Sequence, residues 1–251
     1  EKVEKIIEEY SEFAPLHNPP ALKVIKEFKK LGKRQYAVFD TAFFSELPEK
    51  AKIYAIPKEI TKKFNLKRYG FHGISHKYVS RELKGKTIIL HLGSGCSASA
   101  INNGKAVDIS LGLTPLEGLM MGTRAGDIDA GLVLFLEKKG YNMNEVLNFE
   151  SGFKGLTGYT DFRDILKTLK NPDSKLAYDI FIYRIIKYVG AYIAVLGGLD
   201  NLAFSGEIGY NVQMLRDDVA KNLTFLNKKF EVHAIKTDEE SEIAREIFGM
   251  K

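Results

Sequence analysis

Arg124 stands in the run TPLEGLMMGTRAGDID (114–129), between Gly122 and Gly126 and just ahead of Asp127 and Asp129. An arginine in so turn-rich a stretch serves either a structural salt bridge or a clamp on a doubly charged group such as a phosphoryl. Asp40 closes YAVFD (36–40), read as a short buried strand. Ligands of open α/β sheets lie beyond the carboxyl ends of strands, so this acid would hold Mg²⁺ or orient a phosphate; otherwise it caps the next turn. His72 and His76 lie four apart in RYGFHGISH (68–76), the spacing of a helical metal pair. Gly73 between them argues against a helix there, and no cysteine or third close ligand completes a zinc set, so a core histidine is the plainer reading of His72.

Three further segments suit anions. HLGSGCS (91–97) lies between two strand-like runs, and its small residues leave successive backbone N–H groups open to a phosphate, as any tight hairpin also would. FSGEIGYN (204–211) is a glycine-punctuated turn from strand to helix, with a cradle for a nucleotide or a plain connection as its two readings. DFRDI (161–165) reads by itself as a helix start with Asp161 near the N-cap.

The elements around these residues alternate. EKVEKIIEEYSEF opens with apolar residues at helical spacing, and a Pro-marked helix ending at a glycine follows it. The aromatic, glycine-hinged RYGFHGISH segment runs into a helix over HKYVSREL. TIILHLG (87–93), CSASAIN (96–102) and KAVDIS (105–110) are strands in series, with GSG and NNG at their turns. Helical patterns dominate afterwards, the longest at 174–199, interrupted by the strands NLAFS (201–205) and FEVHAI (230–235). Mixed α/β is the class this order predicts.

Composition sets the outer limits. A hydrophobic share of 45% over 251 residues supports a packed core, while the longest apolar runs fall well short of the ~18 residues of a membrane span. The +5 net charge comes from 37 basic and 32 acidic residues scattered along the chain, a solvated surface and not a nucleic-acid footprint. The single cysteine, Cys96, rules out an internal disulfide framework and fits the cytoplasm.

Taken together, APLHNPP, VFDTAF, RYGFHGISH, HLGSG, NNGKAVDISLGLTPLEGLMMGTRAGDID, DFRDI and KTDEESEIARE follow the order found in the acetate and propionate kinase family of the actin-like ATPase superfamily, and the resemblance covers essentially the whole chain. It implies an actin-like, ribonuclease H-like α/β fold and transfer of the ATP γ-phosphoryl group to acetate or another short carboxylate, with Mg²⁺ or Mn²⁺. By position, His72 and Arg124 match the residues that stabilise the phosphoryl group in flight, and Asp40 and Glu239 those that serve the metal and substrate geometry. Leu16, Phe71 and Pro115 match the pocket for the acyl methyl. The turn His91, Gly93, Ser94 and Gly95, the segment Asp161, Phe162 and Arg163, and the turn Gly206, Glu207, Ile208, Gly209 and Asn211 match the nucleotide segments.

Departures from the family pattern matter as well. Its usual opening of about a hundred residues, with an NAGSSS-type phosphate loop and an HRVVHGG segment, is absent. The resemblance therefore implies a C-terminal nucleotide-binding domain over 41–237 and a remnant of the N-terminal domain over 1–40 and 238–251. Apolar faces bearing Val3, Ile6, Ile7, Ile243 and Ile247 would normally pack on the absent sheet. That predicts a need for the N-terminal polypeptide, or self-association, in the simplest case a homodimer. Phe44, Ser94, Glu207 and Tyr210 also depart from the family's usual residues, and a carboxylate at 207 would repel a polyphosphate. A non-catalytic nucleotide-binding or assembly module is the other function class compatible with this pattern.

Overall fold

The computed structural model describes residues 2–13, 18–226 and 229–249. Its centre is a five-stranded mixed sheet of order β3-β2-β1-β4-β5, formed by β1 (Lys86–Leu92), β2 (Cys96–Asn102), β3 (Lys105–Ile109), β4 (Asn201–Ser205) and β5 (Glu231–Ala234). The first three strands form the expected antiparallel meander. Asn102 pairs with Lys105, and the two residues between them, Asn103 and Gly104, have φ of 49° and 80°. Such a two-residue turn suits Asn-Gly because both positions need positive φ. β4 lies parallel to β1, and β5 parallel to β4.

Alternation along the pleat sends side chains to two different layers. Ile88, Leu90 and Leu92 join the large core under the helix Pro172–Leu196, which also buries Ala177, Phe181, Ile185 and Val189. Ile89, Ile101 and Ala203 face the other way and pack with Val79 of the helix Gly73–Glu82. Toward the β1–β2 turn this second face becomes polar. His91 pairs with Ser97, Ile89 with Ser99, and His91 also with Ser205.

Three expectations are corrected. The segment YAVFD forms no strand: residues 33–39 belong to no regular element, and Tyr36 and Phe39 are exposed. A strand persists through ladder hydrogen bonds with a neighbour, and among the described residues none lies beside this segment. Gly73 does not interrupt a helix but begins one, Gly73–Glu82. The Asp40 carboxylate satisfies the first free N–H groups of that helix, accepting from His72 N and from Ile74 N at 3.0 Å. A Cβ at Gly73 would lie 1.9 Å from the Asp40 carbonyl oxygen, so close approach, not flexibility, requires glycine there. The GEIGYN stretch, read as a turn, is itself the short helix Gly206–Asn211.

The terminal elements are thinly packed. The helices Lys2–Glu9 and Asn18–Lys29 bury only Ile7 and Leu22 respectively. The last helix, Glu239–Gly249, rests on Gly73–Glu82 through ion pairs Lys77–Glu246 at 2.6 Å and Arg81–Glu242 at 2.8 Å. Between these parts and the extended segment opens an apolar groove of about 730 Å³, lined among others by Ile7, Ile25, Val38, Phe39 and Ile243.

Candidate active site

Two adjoining sites meet at the β1–β2 turn. The first is a cleft of about 390 Å³ that brings together the three segments predicted to face a nucleotide: Gly93 and Ser94, then Asp161, Phe162 and Arg163, then Glu207, Ile208 and Asn211. Gly122, Phe153, Thr160 and Val212 complete its walls. Asp161 caps the helix Phe162–Lys167 by accepting from Arg163 N at 2.8 Å. Its carboxyl is drawn down to about 2 by the hydrogen bonds from Arg163. Gly206 and Gly209 stand behind the cleft. A Cβ at Gly206, where φ is +73°, would lie 2.5 Å from the Leu92 carbonyl oxygen, so glycine lets this helix start close to the sheet.

The second site begins one residue on, at Gly95. A Cβ there would lie 2.7 Å from Arg124 Nη2 and 3.1 Å from His72 Nε2, so the guanidinium and the imidazole converge on this glycine. His72 is held at φ 60° as N-cap of its helix, with its backbone N–H on Asp40 and its Nδ1 2.9 Å from Ser97 Oγ. His91 lies here, not in the nucleotide cleft. Its ring centroid is 4.4 Å from that of His72, Ser75 Oγ is 2.7 Å from its Nδ1, and burial followed by the His72 charge pushes its pKa down to about 3. The two histidines expected as a possible metal pair instead share Ser97, since His76 Nε2 is 2.7 Å from the same Oγ.

Arg124 donates to the Pro115 carbonyl at 2.6 Å, and among the described residues no carboxylate pairs with it. The salt-bridge reading of this arginine therefore falls. Its loop is pinned from several sides: Gly118 N donates to Asp127 Oδ1 at 2.8 Å, Tyr188 OH to Asp127 Oδ2 at 2.7 Å, and Gly122 N to the Ser94 carbonyl at 3.3 Å. Arg68 and Tyr54 hold Glu117 at 2.6 and 2.8 Å and fix the start of the same loop. Burial pulls the Arg124 pKa down, the mark of a cation held partly out of water.

The arrangement is a Gly-rich turn with a nucleotide-sized cleft on one side and a rigid Arg–His pair on the other. The acetokinase family model matches residues 1–246. The chain belongs to that family. It is 49% identical to the acetate kinase of Fervidobacterium nodosum, an alignment covering 92% of this chain and 62% of that protein. With the acetate kinase of Thermotoga maritima it shares 46% identity at the same coverage. Among solved structures, the Porphyromonas gingivalis acetate kinase matches with a TM-score of 0.90 at 40% identity, over 99% of this chain and 72% of that one. A propionate kinase from Francisella tularensis matches with 0.91 at 36% identity, over 97% and 72%. The chain has the actin-like ATPase fold of those kinases and spans about 62% of the length of the two curated relatives.

Against the family background, the other expected residues divide. Glu239 begins the last helix and faces Asp40: burial first, and then the Asp40 charge, raises its carboxyl pKa. Two facing carboxylates suit Mg²⁺, which takes one or two protein oxygens and completes its shell with phosphates and water. Among the described residues no group of three or more His, Cys, Asp or Glu forms a fuller ligand set. Pro115 lines a separate hollow of about 380 Å³ with Arg124, Val133 and Leu147, whereas Phe71 packs on the main core. Leu16 lies outside the described residues. Sequence reasoning missed Ser97, Ser99, Glu117 and Asp127 as members of the site's support. The alternation Ser97–Ser99 opposite His72–His76 was the available signal: period two on a strand matched to spacing four on a helix.

Proposed function

We propose that this chain supplies the nucleotide cleft and the Arg–His pair of a phosphotransferase that moves the ATP γ-phosphoryl group to acetate or a close short carboxylate, giving acyl phosphate and ADP. The observation that carries this is the continuity of Gly93 and Ser94, in the cleft wall, with Gly95, where Arg124 and His72 converge. The similarity to acetate and propionate kinases supports the acceptor class.

The chemistry asks little of a base. A carboxylate is already ionised near neutral pH, so its oxygen attacks the γ-phosphorus directly, and the bond to the β-bridging oxygen breaks with its electron pair leaving on ADP. What remains is to hold two anions together and to meet the charge on the transferring oxygens. Arg124 and His72 do this beside Gly95, together with the backbone N–H groups of Ser94 and Gly95. Asp40 and Glu239 would hold Mg²⁺, whose charge offsets that of the phosphates.

The reading includes further polypeptide over the apolar groove at Ile7, Ile25, Val38, Phe39 and Ile243, carrying the phosphate loop and second arginine of the family. Acyl phosphate formation with Mg²⁺, trapped as the hydroxamate, is the test, on the 251-residue chain with and without that polypeptide. Activity should need both parts. Robust turnover by the chain alone would overturn the need for a second part. An assembled protein that binds ATP without forming acyl phosphate would leave a nucleotide-binding module.

A further inference from the structure

The polar end of the sheet face under the helix Gly73–Glu82 contains a continuous run of side-chain hydrogen bonds. His72 Nδ1 is 2.9 Å from Ser97 Oγ, the same Oγ is 2.7 Å from His76 Nε2, and His76 Nδ1 is 2.8 Å from Ser99 Oγ. Ser97, Ser99 and His76 are all fully buried. A hydroxyl carries one proton, and a neutral imidazole has one donor and one acceptor nitrogen. Burial, the largest cause, holds the His76 pKa well below its ordinary value, so this ring is neutral. With the His72 ring neutral as well and each of these protons used within the run, the four groups have only two consistent proton arrangements, and each is fixed along the whole run once one member is fixed.

The choice between them follows from what faces His72 Nε2. On the reading of the site given above, this nitrogen and Arg124 address oxygens of a phosphoryl group, which demand N–H and not a lone pair. On a neutral ring, His72 Nδ1 must then accept. We propose that Ser97 is the positioning residue that orients His72 for phosphoryl transfer, donating its one proton to Nδ1 and leaving the ring proton on Nε2, beside Gly95 and Arg124. Having given its proton, Ser97 accepts from His76 Nε2–H, and Ser99 donates to His76 Nδ1. His76 is the backstop that prevents Ser97 from turning its proton away. Both histidines are thereby Nε2–H tautomers.

Imidazole ¹⁵N shifts of the histidine-labelled 251-residue chain, recorded where the rings are neutral, read this without any need for activity. His72 and His76 should both show protonated Nε2 and unprotonated Nδ1. Ser97→Ala should turn His72 into a mixture of tautomers and lower kcat of the assembled kinase by about 10- to 100-fold, the usual cost of losing a partner that orients a working group. KM for ATP and for the carboxylate should stay within about twofold, because ground-state binding is not what Ser97 supplies. Ser97→Thr, which keeps the hydroxyl, should restore both tautomer and kcat. If Ser97→Ala does not fold, Ser99→Ala carries the test one step further out, with His76 becoming a tautomer mixture. Protonated Nδ1 on His72 in the unaltered chain, or an unchanged His72 tautomer in Ser97→Ala, would overturn the assignment. Lack of phosphoryl transfer in the unaltered assembly would fall on the functional reading, and the His72 tautomer would still decide the role of Ser97.

Discussion

The sheet body and the terminal elements bring residues to one site by different means. In the body, β4 is buried along its whole length and β1 and β2 nearly so, with Arg124 bonded to the Pro115 carbonyl and His72 to Ser97 and Asp40. The terminal helices bury one residue apiece, while Val3, Val24, Phe28 and Phe248 remain exposed. Yet Asp40 and Glu239 come from these thin parts. They reach the site because the helix Gly73–Glu82 gathers them: its N-terminus takes the Asp40 carboxylate, and its outer face pairs with Glu242 and Glu246. Charge geometry is thus built into the body, and the carboxylates of Asp40 and Glu239 hang on one helix.

If that division holds, the largest single loss comes from the body. Arg124→Ala in the assembled kinase should lower kcat by about 10²–10³-fold, or about 2.7–4 kcal/mol, as expected for a donor that meets charge mainly in the transition state. The sheet should unfold at nearly the same denaturant concentration, because Arg124 holds only one carbonyl. Steady-state kinetics beside urea unfolding checks both halves, and near-normal kcat would remove Arg124 from the chemistry.

The body should also carry the acid sensitivity. His91 is held at a pKa of about 3 when folded, against 6.5 for the free group, so the unfolded chain takes up the proton first. Stability is full above about pH 6.5 and falls as pH drops toward 3, at up to about 1.4 kcal/mol per pH unit from this group. His76 shifts in the same direction and steepens the loss. Urea unfolding across this range should show a slope reduced by nearly one proton in His91→Gln, and an unchanged slope would contradict the neutral buried ring.

The terminal side yields a smaller and more local effect. Arg81→Ala takes a donor from Glu242, which is fully buried and whose Oε2, among the described residues, has no hydrogen bond and a 3.6 Å ion pair with Arg245. Because Arg81 is about half exposed, the expected cost lies near 1–2 kcal/mol. Amide exchange should show protection falling in 239–249 and not in β1 or β4. Equal losses in both would mean that the two regions are one cooperative unit.

The same division explains what could be read from the sequence. The meander strands were legible because alternating apolar residues and the Asn103–Gly104 turn are local signals. YAVFD was misread because its pattern asks for a neighbouring strand, and pairing is not a property of five residues. Gly73 looked like a break because its reason, the Asp40 carbonyl at its Cβ position, lies 33 positions away in the chain. The Gly93–Gly95, Asp161–Arg163 and Glu207–Asn211 segments were each ambiguous alone; their meeting in one cleft is a tertiary fact.

The finest test of the comparison lies at the cleft wall. Glu207 opens the helix Gly206–Asn211 and lines the cleft proposed for the nucleotide, with its charge felt by Arg163, whose pKa is raised first by Asp161 and then by Glu207. Two effects of that charge compete. It repels a polyphosphate directly, and it helps hold Arg163 over the cleft. Since Asp161 already binds the Arg163 guanidinium through both carboxylate oxygens, removing the Glu207 charge should leave that arginine in place. The repulsion then decides the sign, and Glu207→Gln should tighten ATP binding by roughly two- to fivefold, the scale of one exposed charge interaction. Added salt should erase the difference between the two proteins, because the interaction passes through solvent. Titration calorimetry at low and high salt measures it. Weaker binding in Glu207→Gln would show instead that the carboxylate organises the cleft, and that the body's rigidity there depends on one exposed charge.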